Sequence, residues 1–191
     1  MDGRLARGER ARRKVAEALV ELLTEGDPEP TAKAIAARAG VSLRLVFHHF
    51  VDLDDLYRAV ATLQLERHWS TLPEVSPRVN RASRITRTVR NRSVLYEAIS
   101  PVRRAAVRRS GSSPEITAGL TLTNLLLFEN LAATFANELE VLPERARYEL
   151  LAAIDLATSW EVWERMRHVS GHSVAVSKGI MARTLDAILA A

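Results

Sequence analysis

Apolar residues recur along most of this chain with the period of an amphipathic helix, and the alternation expected of strands is almost absent. Val15, Leu19, Leu22 and Leu23 stand at i, i+4, i+7 and i+8, one helical face, and Glu25-Gly26-Asp27-Pro28 stops the pattern. A short second helix is expected from the capping hydroxyl of Thr31 through Arg38, with Ile35, Ala36 and Ala39 inward and Gly40 as the left-handed stop. Ser42 caps a third, which carries Val46, Phe47 and Phe50. Asp52 opens a fourth, running to about Ser70, with Asp55 as a carboxylate form of the capping box and Leu56, Tyr57, Val60 and Leu63 as its stripe. Ser76-Pro77, Ser100-Pro101 and Ser113-Pro114 each set a capping hydroxyl before a proline, the residue favoured at the first helical position, and predict three more helix starts. Leu142-Pro143-Glu144 predicts another, and Gly171 with Ser173 separates the last two. The reading is an all-α chain of about nine helices, without repeats.

Composition narrows the chemistry. With 191 residues, 47% of them hydrophobic, the chain is long enough to bury a core without cross-links. There is no cysteine, which excludes disulfides, thiolate metal sites and cysteine nucleophiles. No run approaches the ~18 consecutive apolar residues of a membrane span, and no apolar signal core follows Met1, so the expectation is a cytoplasmic protein with no membrane partner. The net charge of +4 is unevenly spread, since residues 67–109 hold 11 basic against 2 acidic side chains while the remainder is slightly acidic. Arg4, Arg7, Arg10, Arg12, Arg13 and Lys14 form a basic N-terminal arm. Arg78, Arg81, Arg84, Arg87 and Arg90 recur every third residue; on a helix that spacing drifts about 60° per step and wraps the axis. Solvated, inward-facing and DNA-facing arginines are all compatible with it.

The most informative segment is Thr31 to Phe50. Two short helices and a glycine-containing turn fall within twenty residues, with small Ala36 at the crossing, Gly40 in the turn and Val46 returning onto the first helix. Those offsets fit a helix-turn-helix, although a plain helical hairpin would share them.

Helix one followed by Thr31, Ile35-Ala36, Ala39-Gly40-Val41-Ser42, Phe47, His49-Phe50 and Leu56 resembles the N-terminal DNA-binding domain of the tetracycline-repressor (TetR-like) family of bacterial regulators, over roughly residues 9–62. The resemblance implies a helix-turn-helix domain with its basic arm at 1–51 and a helical ligand-binding and dimerisation domain at 52–191. It implies a homodimer that binds a near-palindromic double-stranded DNA operator, most simply as a repressor, and that a small-molecule effector releases. Three positions depart from the family pattern: Phe47 where tyrosine is usual, Arg44 where a small residue is usual, and Leu53 where a phosphate-binding lysine is usual. They keep open a rival reading, a ligand-sensing or interaction protein of the same fold with weakened or lost operator binding.

On this reading Thr31, Lys33 and Ser42 contact phosphate, while Leu43, Arg44, Phe47, His48 and His49 form the surface in the major groove. Tyr96, Asn124, Phe128, Phe135, Trp160 and Trp163 are the expected ligand pocket, an apolar set with a few amides suited to an apolar or aromatic effector. Leu150, Leu151, Ile154 and Ala157 on one helix, with Ile180, Leu185 and Ile188 on the last, are the expected dimer interface. Helix four is the expected lever between reading head and sensor. Catalytic motifs and phosphate-cradling glycine loops are absent, so neither an enzyme nor a cofactor is expected. His48 and His49 are adjacent and point about 100° apart, which makes them poor co-ligands, and no motif completes His168 and His172; no metal is expected.

Overall fold

The computed structural model describes residues 2–69 and 73–190. Its helices are α1 (Asp2–Thr24), α2 (Ala32–Ala39), α3 (Leu43–His49), α4 (Leu53–Trp69), α5 (Arg81–Ser110), α6 (Pro114–Thr134), the single turn α7 (Ala136–Leu139), α8 (Glu144–Thr158), α9 (Trp160–Glu164), which runs into a π-helical turn at Arg165–Val169, and α10 (Val174–Ala190). No strand occurs among the described residues, as the helical periodicity predicted.

Most helix ends follow the local chemistry. Ser113 and Pro143 precede α6 and α8, and Ser173 Oγ accepts the Val176 N–H at the start of α10. Asp52 caps α4 by accepting the Asp55 N–H at 2.8 Å, and Asp55 reaches back to the Val51 N–H at 3.2 Å. Two of the serine-proline pairs do not start helices. Ser76-Pro77 forms a turn whose hydroxyl takes the Arg78 N–H, and Asn80 caps α5 instead by accepting the Ser83 N–H at 2.8 Å. Ser100-Pro101 lies inside α5. A helix-interior proline costs about 3 kcal/mol, yet Val102, Ala105 and Ala106 beyond it are buried, and their packing outweighs the lost backbone bond. The basic N-terminal arm is helical, forming the first turns of α1. The Arg4 side chain and Ser70 lie outside the described residues.

By packing, the chain divides into two compact units, Met1–Arg67 with Ile99–Leu122, and His68–Ala98 with Thr123–Ala191. The first unit does not end at residue 51, because Leu56, Tyr57 and Val60 of α4 enter the same core as Val15, Leu19, Ile35, Val46 and Phe50. The end of α5 and Ile116 of α6 complete that core. Arg109 fastens it, donating to Asp54 at 2.9 Å and lying 4.8 Å over the Tyr57 ring.

In the second unit Tyr96, Phe135, Trp163, Leu131, Ile154, Met181 and Leu185 are fully buried. The Tyr96 hydroxyl donates to the Thr158 carbonyl at 2.8 Å, and the Trp163 indole N–H donates to Glu97 Oε1 at 2.9 Å. Arg167 grips both oxygens of Glu97 at 2.9 and 3.1 Å. The Arg167 bond holds the Glu97 carboxyl below its ordinary 4.5; burial opposes it and the Trp163 bond adds to it. A depressed carboxylate stabilises the fold above its unfolded pKa, and that contribution is lost as pH falls through the folded value. Thermal unfolding from pH 7 to pH 3 should therefore show Glu97→Gln less stable than the parent at neutral pH, with the gap closing below 4.5. The side chain is 41% exposed, so screening keeps the gap small. A gap independent of pH would assign the stabilisation to something other than the charge.

Helix α6 is long and apolar enough, by length and composition alone, to meet the test for a membrane span, a property the absence of long unbroken apolar runs did not anticipate. Thr121, Thr123, Asn124 and Asn130 interrupt its apolar residues.

Candidate nucleic-acid interface and ligand cavity

The turn between α2 and α3 is built from local chemistry at both ends. Thr31 Oγ1 accepts the Ala34 N–H at 3.2 Å, and Ser42 Oγ accepts the Leu45 N–H at the same distance. Gly40, at φ 64°, closes α2, and the Val41 N–H returns to the Ala36 carbonyl at 3.0 Å in a Schellman arrangement that a residue with a Cβ would strain. Ile35, Ala36 and Val46 are buried, which locks the two helices against α1 and α4. Arg38 clamps α2 to α1 through a bidentate pair with Glu25 at 2.8 and 2.6 Å, and that bond holds the Glu25 carboxyl below its ordinary value.

With Val46 inward, the opposite face of α3 is presented to solvent. Leu43 is 43% exposed and Phe47 48% exposed, one turn apart, with Arg44 and His48 exposed beside them. Thr31, Lys33 and Ser42 are also exposed, along the N-terminal edges of α2 and α3. His49 differs from the other candidates: it is half-buried, and its carbonyl accepts from Arg12 Nη1 at 2.7 Å. Arg12 also stacks 4.5 Å over the Phe50 ring, so this arginine of the basic arm serves the fold.

The acidic start of α4 is neutralised within the unit. Asp54 pairs with Arg109, and Asp55 accepts from Arg58 Nη2 at 2.6 Å. Burial raises the Asp55 carboxyl, but the Arg58 bond and the Val51 amide outweigh it and the net shift is downward. Leu53 is partly buried against the core of the unit.

Residues 16–60 match the family model described as bacterial regulatory proteins, tetR family. Over those residues the chain is TetR-like. Its fold matches a transcriptional regulator from Rhodococcus sp. Rha1 with a TM-score of 0.70 at 16% identity, covering 94% of this chain and 96% of that one. A tetR-family transcriptional regulator from Streptomyces coelicolor matches with a TM-score of 0.72 at 16% identity, covering 95% and 82%. The multidrug binding protein EbrR, complexed with imidazole, matches with a TM-score of 0.61 at 16% identity, covering 91% and 93%. At such identities the likeness is one of fold. Among curated proteins the sequence has no match.

Most of the aromatics expected to line a pocket are core residues. Tyr96 and Trp163 lie 6.4 Å apart, and Phe135 and Trp160 are also buried, all as core. Phe128 is half-buried and Asn124 exposed. The second unit instead holds a cavity of about 200 Å³ bordered by Trp69, Val75, Thr88, Arg92, Leu127 and Asn130. None of the six expected pocket residues lines it. Thr88 and Arg92 come from the arginine-rich segment, whose spacing gave no preferred direction, and Asn130 comes from α6. Arg84 is turned inward and paired with Glu138, Arg81 donates to the Leu189 carbonyl, and Arg78, Arg87 and Arg90 are exposed.

Leu151, Ile154 and Leu185, expected at a dimer interface, are buried in the chain's own core; Leu150, Ala157, Ile180 and Ile188 are half-buried. The densest apolar stripe of each helix faces inward, because burying it there needs no partner. The exposed stripe of α8 is Tyr148 and Leu156 with half-buried Ala152 between them, and that of α10 is Val176 and Ala187 with half-buried Ile180 between them. His168 lies 3.8 Å from Glu164, and among the described residues no cluster of three or more metal-ligating side chains occurs.

Proposed function

We propose that the chain is a ligand-responsive transcriptional repressor, binding a near-palindromic operator as a homodimer and released by a small apolar or aromatic effector. The reading head is assigned to residues 1–51, and effector binding and dimerisation to 52–191. The observation that carries the reading is the outward face of α3, where a helix of seven residues exposes Leu43 and Phe47 beside Arg44 and His48. Such an apolar and cationic surface is suited to base edges and thymine methyls in a major groove. Thr31, Lys33 and Ser42 flank it as phosphate contacts, with the free amides of the two helix N-termini. The imidazole complex of EbrR supports a small-molecule role for the same fold.

Mobility shifts on the DNA upstream of the protein's own gene, in a salt series with nonspecific competitor, test the reading. Arg44→Ala should weaken specific binding by about 1–3 kcal/mol, the worth of a bidentate arginine–guanine pair, and change nonspecific binding far less. Equal losses on both would remove Arg44 from base reading. One observation favours a sensor without operator binding: Leu53 packs inward where the family's pattern has a phosphate-binding lysine. Failure to shift any upstream fragment at low salt would select that reading.

A further inference from the structure

Burying an arginine is costly unless something compensates its charge, and Arg92 is 3% exposed. Its hydrogen bond runs from Nη2 to the Leu127 carbonyl at 2.6 Å, a neutral acceptor that leaves other guanidinium N–H groups available. Among the described residues no carboxylate forms an ion pair with it; Asp155 feels its charge only through space. Arg92 borders the 200 Å³ cavity of the second unit, and so does Thr88, one helical turn earlier on α5. The Thr88 hydroxyl is buried and, among the described residues, has no hydrogen-bond partner. A buried cation and a buried orphan hydroxyl on one wall of one cavity are two independent signs of a missing polar occupant. The rest of the lining is mixed: Val75, Leu126 and Leu127 are apolar, Trp69 is aromatic, and Asn91 and Asn130 are amides.

We propose that this cavity binds a small monocarboxylate with a compact apolar or aromatic body, its carboxylate held by Arg92 and Thr88. The planar guanidinium matches a carboxylate with two parallel N–H donors, and the hydroxyl supplies a third. The volume is below the ~300–1,000 Å³ of drug-sized pockets, which limits the body to about a single ring. Two exposed carboxylates, Glu74 and Glu129, also border the cavity. Water and salt screen their effect on a buried anion, but they disfavour a second negative charge directed toward them. The site therefore selects a monoanion over a dianion. This inference rests on the sensor reading above and specifies its ligand chemistry.

The test is calorimetric titration of the purified full chain with benzoate and with benzamide, its neutral counterpart. Benzoate should bind about 10- to 100-fold more tightly, the worth of a charge-assisted hydrogen bond, and more tightly than the dianion phthalate. Arg92→Met should bring the benzoate-to-benzamide ratio close to one. Thr88→Val, which removes an unpartnered hydroxyl and leaves the fold intact, should weaken benzoate more than benzamide. Equal binding of benzoate and benzamide by the parent, failure of both to bind, or tighter binding of phthalate overturns the proposal. If Arg92→Met fails to fold, an unchanged ratio in Thr88→Val overturns it alone. Mobility shifts on the same preparations separate the two readings. A chain that prefers benzoate but binds no DNA keeps the anion site and loses the regulator. One that shifts operator DNA yet takes benzoate and benzamide alike keeps the regulator and loses the anion site.

Discussion

Replacing Leu156 by Glu should convert the proposed homodimer to monomers and abolish its proposed operator binding, while leaving each monomer folded. Leu156 is 68% exposed on α8, in line with Tyr148 and Ala152, so its loss leaves no cavity in the single chain. In an isologous interface each substitution occurs twice, and two unpaired carboxylates would be taken out of water. At several kcal/mol for each buried unpaired charge, the dimer constant should weaken by well over about a thousandfold. Sedimentation equilibrium gives the mass, and thermal unfolding at low concentration separates dissociation from misfolding. Leu151→Ala, by contrast, should destabilise the monomer itself by about 2–5 kcal/mol through loss of core packing. A Leu156→Glu chain that stays dimeric and binds DNA would place the interface on another face.

Removing the carboxylate of Glu138 should cost about 3–5 kcal/mol of folding stability, because it strands the buried guanidinium of Arg84. Arg84 also donates to the Pro77 carbonyl at 2.7 Å and lies 5.9 Å over the Phe135 ring, so it cannot swing to solvent without disrupting the turn at residue 77. The pair is incompletely satisfied, since among the described residues Arg84 Nε and Glu138 Oε2 have no hydrogen-bond partner. Replacing both groups by apolar ones, as Arg84→Met with Glu138→Leu, should therefore recover most of what Glu138→Leu alone loses. Urea unfolding of the two single variants and the double variant forms the cycle. A double variant no more stable than Glu138→Leu would mean that the cost lies in packing and not in the stranded charge.

The reading head was legible because its determinants are local. Thr31, Gly40 and Ser42 act on backbone groups within five residues of themselves, and Ala36 and Val46 need only the adjacent helix. The departures at α4 were legible as residues but not as charges: Asp54 is neutralised by Arg109, which lies 55 positions away. Serine-proline pairs carry the same local chemistry at a helix start and within a helix, so Ser100-Pro101 could not be distinguished from Ser113-Pro114.

The sequence by itself determined the all-helical class, the helix-turn-helix with its caps, and, His49 apart, the residues on the exposed face of α3. Helical period and capping act over a few bonds, so the order of residues specifies them. Only the tertiary structure decided which side of each amphipathic helix is spent on its own core, which placed Tyr96, Phe135 and Trp163 inside and left Tyr148 and Leu156 outside. It also decided which arginines of the 78–109 segment are buried. A run repeating every third residue wraps the helix, so each arginine's environment is set by its opposing element: Glu138 for Arg84, and the Leu127 carbonyl beside the cavity for Arg92.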